Sequence, residues 1–241
     1  FSGSKTNASY DATTNALRLT LSGSNVNSSG SYSFAETLDL EGVYSLELAR
    51  IIATLGIFQS TADYMDTWPD VDAREDWDGA IIDKVNASLL VRITTDNPSS
   101  SPTWGGWQPC AAGTYRGRGF QFKSELSSQS TDQNILVDQL GYSAKLNQRT
   151  EQSDALVASG TAGGGKAITF TNAFFTGTSS LLGANTRLPS IGIVAQNMAS
   201  GDYYNVTAVS STGFTVIFKN SSNAVVDRSF YWTAVGYGKR A

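Results

Sequence analysis

Apolar and polar residues alternate along much of this chain with a period of two. In residues 16–21, Leu17, Leu19 and Leu21 alternate with Arg18 and Thr20, the mark of a strand with one buried face. Residues 32–40 carry the same pattern, and Glu41-Gly42 reads as a turn after them. Residues 43–54 admit two readings. Glu47 and Arg50 sit at helical spacing, but Tyr44, Leu46 and Leu48 alternate with Val43, Ser45 and Glu47, and the strand is the better fit. Residues 85–95, 118–126 and 135–146 predict further strands. In residues 118–126, Phe120, Phe122 and Leu126 point inward and the charged residues outward. The segment Trp104-Gly105-Gly106-Trp107 begins a short strand or a turn. Residues 1–15 lack periodicity and read as a linker, and residues 22–31 and 97–102 read as loops rich in Ser, Asn, Gly and Pro.

A composition change divides the chain. Residues 147–152 are wholly polar and residues 160–165 are glycine-rich, so a boundary is expected across 147–164, with one short strand at 155–158. Beyond it come short strands at 167–170, 191–195, 205–209, 214–218 and 229–235, separated by Gly and Asn turns. That rhythm predicts a sandwich or barrel. The expected fold is all-β, with two tandem β-sandwich domains over residues 1–150 and 151–241. In the last strand the period of two puts Phe230 and Trp232 on a buried face and Tyr231 outside.

Composition narrows the chemistry. The chain of 241 residues has no histidine and one cysteine. It therefore lacks the commonest general base and metal ligand, and it cannot form an internal disulfide. Cys110, beside Pro109, reads as a small semi-buried apolar residue. The net charge is −4, and an acidic chain does not suit nucleic acid or an anionic membrane as main partner. No run approaches the roughly 18–20 apolar residues of a membrane-spanning helix. The missing initiator Met and signal pattern lead us to expect a piece of a longer protein.

Three sets of residues are candidates for function. Residues 60–83 hold eight carboxylates against Arg74, with Trp68 and Trp77 interleaved. Within them Asp70, Asp72, Asp76 and Asp78 offer hard oxygen ligands to Ca²⁺. Their spacing departs from the EF-hand pattern, and a solvated acidic loop anchored by its tryptophans is the plainer reading. The second set is aromatic: Trp104, Trp107, Tyr115, Tyr203, Tyr204, Tyr231 and Tyr237 could stack on sugar rings or pack on a protein receptor. Alternate members of it could equally be core, and Tyr231 fits a subunit interface as well as a receptor contact. The third is a carboxylate pair for glycoside hydrolysis, but nothing singles out a pair, and no Gly-x-Ser-x-Gly elbow is present. No catalytic residue and no cofactor is expected. Leu181, Leu182, Leu188 and Ile191 form a possible apolar patch.

The segment from Gly213 to Asn220 and the closing strand around Phe230-Tyr231-Trp232 resemble the small β-sandwich that ends many phage tail fibre and tail-tip proteins, itself similar to H-type lectin domains. Residues 34–48 resemble a strand pair of galactose-binding-like jelly rolls, with Glu41 where glycine is usual. Residues 90–94, Trp107 and residues 115–122 continue that likeness, which extends to the C-terminal region of phage host-specificity (J-like tail-tip, central fibre) proteins. The resemblance implies a jelly-roll-like sandwich over 1–150, mainly a spacer and trimer scaffold, followed by a lectin-like one over 151–241. It implies a non-enzymatic virion protein at the tail tip or fibre, a parallel homotrimer held among other tail-tip proteins. Its expected partner is a bacterial surface receptor: polysaccharide, pilus or outer-membrane protein. Nucleic acid binding and membrane insertion are not expected. The alternatives are a purely structural tail-tip domain and a carbohydrate-binding module of a secreted enzyme.

Overall fold

A computed structural model describes residues 1–59, 82–177 and 187–238. Among these there is no helix, and the all-β expectation holds. The chain divides into two compact units. The first comprises Phe1–Leu38, Leu48–Gly113 and Gly119–Ala144. The second comprises Asp39–Glu47, Thr114–Arg118 and Lys145–Ala241.

The first unit opens with β1 (Ser4–Thr6), β2 (Ala8–Asp11) and β3 (Ala16–Leu19), then β4 (Leu21–Ser22), β5 (Asn25–Val26) and β6 (Ser29–Ser33). Long strands follow: β7 (Leu38–Phe58), β8 (Val85–Thr94), the short β9 (Gln108–Pro109), β10 (Gly113–Ser128) and β11 (Gln133–Lys145). β1 pairs with β6, β6 with β10, β10 with β8, and β8 with β9. β2 pairs with β3 and β3 with β11, which adjoins β7. β7 also adjoins β10, so the two layers are arms of one nine-stranded sheet, and they share one core. Tyr32 and Leu126 come from the first layer, and Leu17, Leu19, Ile135 and Val137 from the second. Phe122 of β10 stacks on Tyr142 of β11 with centroids 3.7 Å apart, a direct contact between the two arms.

Several polar stretches form strands that alternation alone did not indicate. Residues 1–15, expected as a linker, supply β1 and β2. Asn7, at φ 48°, bends the chain between them so that β1 joins one layer and β2 the other. Part of the expected loop 22–31 is β5 and the start of β6, held by backbone pairing on both edges of β6. A Cβ on Gly30 would lie 2.6 Å from the Asn7 carbonyl oxygen, so this close approach requires glycine. The Glu41-Gly42 turn is absent. Both residues lie within β7, where Glu41 has φ 55° and its amide donates to Asp39 Oδ1 at 2.7 Å.

The second unit contains β12 (Gln148–Gln152), β13 (Val157–Ala158), β14 (Lys166–Thr169), β15 (Ser190–Gln196), β16 (Tyr203–Thr207), β17 (Gly213–Lys219) and β18 (Ser229–Tyr237). β18 is the hub of a four-stranded sheet with β12, β13 and β15, and β17 is flanked by β14 and β16 in a three-stranded one. Phe218 meets Phe230 at 5.6 Å and Phe214 meets Trp232 at 5.7 Å, so the two sheets are the halves of a sandwich. Residue 150 falls inside β12, which pairs with β18. This wholly polar stretch is held as a strand by its ladder with β18, and Arg149 and Glu151, on one face of it, pair with each other. As the alternation indicated, Phe230 is fully buried, Trp232 is half-buried against the core and Tyr231 is 42% exposed.

Candidate functional site: an aromatic platform beside a hydroxyl-lined depression

The outer face of the β1–β6–β10–β8 layer is set by the pleat of β10. Phe120, Phe122, Ser124 and Leu126 are buried, so Gln121, Lys123, Glu125 and Ser127 point the other way. Register then assigns their neighbours. Gln121 lies opposite Arg92, and Lys123 lies between Leu90 and Ser33. Glu125 lies between Ser88 and Ser31, and Ser127 between Asn86 and Ser29.

At one end of this face, the loop after β8 folds back. Thr94 Oγ1 donates to the Thr103 carbonyl at 2.8 Å, the Thr103 amide donates to Asp96 Oδ2 at 2.8 Å, and the Gly105 amide donates to the Ile93 carbonyl at 2.9 Å. The loop sets Trp104 and Trp107 on a single cation. The Arg92 guanidinium carbon is 5.1 Å from the Trp104 ring centroid and 4.7 Å from that of Trp107. Arg92 is itself fixed, donating to Gln121 Oε1 from Nε at 2.9 Å and from Nη2 at 2.6 Å. Gln121 Nε2 in turn donates to Thr37 Oγ1 at 2.9 Å. Lys123 Nζ is 4.8 Å from the Trp107 centroid and 2.7 Å from Glu125 Oε1. Each exposed cation–π contact contributes about 0.5–1 kcal/mol, so the two rings are held in place before any ligand arrives.

Next to this platform lies a depression of about 480 Å³, lined in part by Glu125, Ser127, Ser29, Ser31, Ser88 and Asn86. Its Glu125 is linked to Trp107 through Lys123, which contacts both. At the far side of the loop, Cys110 is 1% exposed. Burial pushes its thiol pKa up, with the Arg50 charge opposing, so it is a buried thiol and not a nucleophile.

The other aromatic candidates lie in the second unit. Tyr203 and Tyr204 are successive on β16 and face opposite ways. The Tyr203 hydroxyl donates to Asn223 Oδ1, whereas the Tyr204 ring leans on Phe218 with centroids 5.6 Å apart. Tyr231 lies opposite Val194 on the outer face of the β18 sheet. That face presents Val194, Tyr231, Thr233, Val235 and Tyr237, none of them acidic or basic. Tyr115 is half-buried in β10. Thus Trp104 and Trp107 converge on one cation, while the tyrosines are distributed over several faces of the second unit. Ile191 packs against the core of that unit and Leu188 is exposed, so these two do not form one patch; Leu181 and Leu182 lie outside the described residues. So do Asp70, Asp72, Asp76 and Asp78. Among the described residues no cluster of three or more Asp, Glu, Cys or His side chains is placed to hold a metal.

The depression was not anticipated from the sequence. Its serines come from a stretch that reads as loop by composition, and the pairing that gathers them is long-range. The outward charges of residues 118–126 were the available signal for Lys123 and Glu125. No protein-family model, curated protein or solved structure matches this chain.

Proposed function

We propose that this chain is a non-enzymatic adhesive module that binds a cell-surface receptor through the outer face of the β1–β6–β10–β8 layer. The observation that carries this reading is the platform of Trp104 and Trp107 fixed on Arg92. Stiff aromatic surface, ordered in advance, binds at low entropic cost. The resemblance to phage tail-tip and fibre proteins supports a place at the virion tail, with a bacterial polysaccharide, pilus or outer-membrane protein as the target. Other tail-tip proteins and further copies of the chain are the partners in assembly. A parallel trimer would convert weak single-site binding into avidity.

A purely structural tail-tip role is the second reading. It is favoured by the outer face of the β18 sheet, where Val194, Tyr231, Val235 and Tyr237 suit contact with another protein surface. Binding of the labelled chain to a panel of bacterial cells separates the two. Adhesion that Trp107→Ala lowers about tenfold, the loss of roughly 1.4 kcal/mol, supports the receptor role. A chain that adheres to no strain and does not compete with phage adsorption leaves only the structural role.

A further inference from the structure

We infer that the depression on the β6–β10–β8 face is a saccharide site selective for uncharged glycans, an inference that rests on the adhesive reading of the same face. Register places Ser31, Glu125 and Ser88 side by side, and Ser29, Ser127 and Asn86 on the next outward row. Neighbours across an antiparallel pair stand about 5 Å apart, and same-face residues along a strand stand about 7 Å apart. The lining is therefore a grid of hydroxyl and amide groups that both donate and accept. A sugar, which presents hydroxyls around a ring, satisfies such a grid from any of several edges. The volume of about 480 Å³ lies within the ordinary range of ligand pockets.

Charge sets the selectivity. Glu125 is the acidic group in the lining, and Lys123 pairs with one of its oxygens at 2.7 Å. A carboxylate accepts at both oxygens, so the pair retains acceptor capacity for hydroxyls. The described residues lining the depression include no cation. A uronate, sialate or phosphate would therefore meet a carboxylate without a free counter-charge. A peptide finds no apolar anchor either, because Leu126, the one large apolar residue of the lining, is 1% exposed. Trp107 is linked to Glu125 through Lys123, which gives an extended glycan an aromatic surface to continue onto.

The test probes the 241-residue chain on an array of neutral hexose and N-acetylhexosamine oligosaccharides beside uronate- and sialate-bearing ones. Binding to neutral members and not to acidic ones is expected. Ser127→Tyr fills an exposed position of the depression and should weaken binding about tenfold or more, with a melting temperature equal to that of the unaltered chain. Glu125→Gln frees the Lys123 ammonium and should shift the preference toward acidic glycans. Binding unchanged by Ser127→Tyr, a preference of the unaltered chain for acidic glycans, or no binding to any member overturns the inference. If the chain then still adheres to cells and Trp107→Ala abolishes that adhesion, the adhesive reading survives without the saccharide site. If adhesion also fails, both fall.

Discussion

Arg149 and Glu151 show how one pair of side chains keeps a polar strand in the fold. They are two residues apart on β12 and face the same way. Arg149 Nε donates to the Gly238 carbonyl at 2.7 Å, and its guanidinium carbon sits 3.7 Å from the Phe174 ring centroid. Glu151 accepts the Thr171 amide at 2.8 Å and the Asn172 amide at 3.1 Å. Burial raises the Glu151 pKa, but the Arg149 hydrogen bond, followed by the Asn172 and Thr171 amides, outweighs it and holds the carboxyl below its ordinary 4.5. The folded pKa is the lower of the two. The stabilisation is thus present above pH 4.5 and is lost as pH falls through the folded value. Glu151→Gln is expected to cost about 2 kcal/mol at neutral pH, the scale of a lost charged hydrogen bond. Its melting temperature should converge on that of the unaltered chain in acid; a gap that stays constant down to about pH 3 would reject this account. At the same scale, the tryptophans of the platform were legible as residue types. That both would rest on Arg92 was not, because long-range pairing of β8 with β10 brings Arg92, Gln121 and Lys123 beside them.

At the scale of elements, two aromatic residues on strands should behave oppositely. Phe122 is 1% exposed and stacked on Tyr142 across the two layers. Phe122→Ala should destabilise by about 3–5 kcal/mol. Tyr231 stands on the open face of β18, and Tyr231→Ala should shift stability by no more than about 0.5 kcal/mol. Urea unfolding of the two variants checks this, and equal losses would contradict the assignment of faces. The same contrast explains which strands could be read in advance. β8, β10, β11, β17 and β18 have one side filled with Phe, Leu, Ile and Val, so their alternation is visible. β1, β2, β6 and β12 are held by backbone pairing, a close glycine contact or an ion pair, and these leave little hydrophobic pattern in the sequence. Glu41 misled for a related reason. A Glu-Gly pair has turn composition, but here Glu41 itself takes the positive φ, inside a strand that continues on both sides.

At the scale of the whole molecule, the units are not consecutive halves of the chain. Lys145–Ala241 shares the second unit with Asp39–Glu47 and Thr114–Arg118. Within that unit the Tyr44 ring meets Phe175 with centroids 5.3 Å apart, and Asn147 Nδ2 donates to Glu47 Oε1 at 3.0 Å. A fragment of residues 151–241 loses these contacts and most of the β12 pairing with β18. It is expected to give poorly dispersed amide resonances and no cooperative melt, whereas the whole chain melts cooperatively. A well-folded fragment would show that the discontinuous segments are dispensable. Cys110 gives the intact chain a different use. As the sole thiol in the sequence, sealed at the end of the loop that carries Trp107, it is a built-in clock: the rate at which a thiol reagent labels it counts the openings of that region, one molecule at a time.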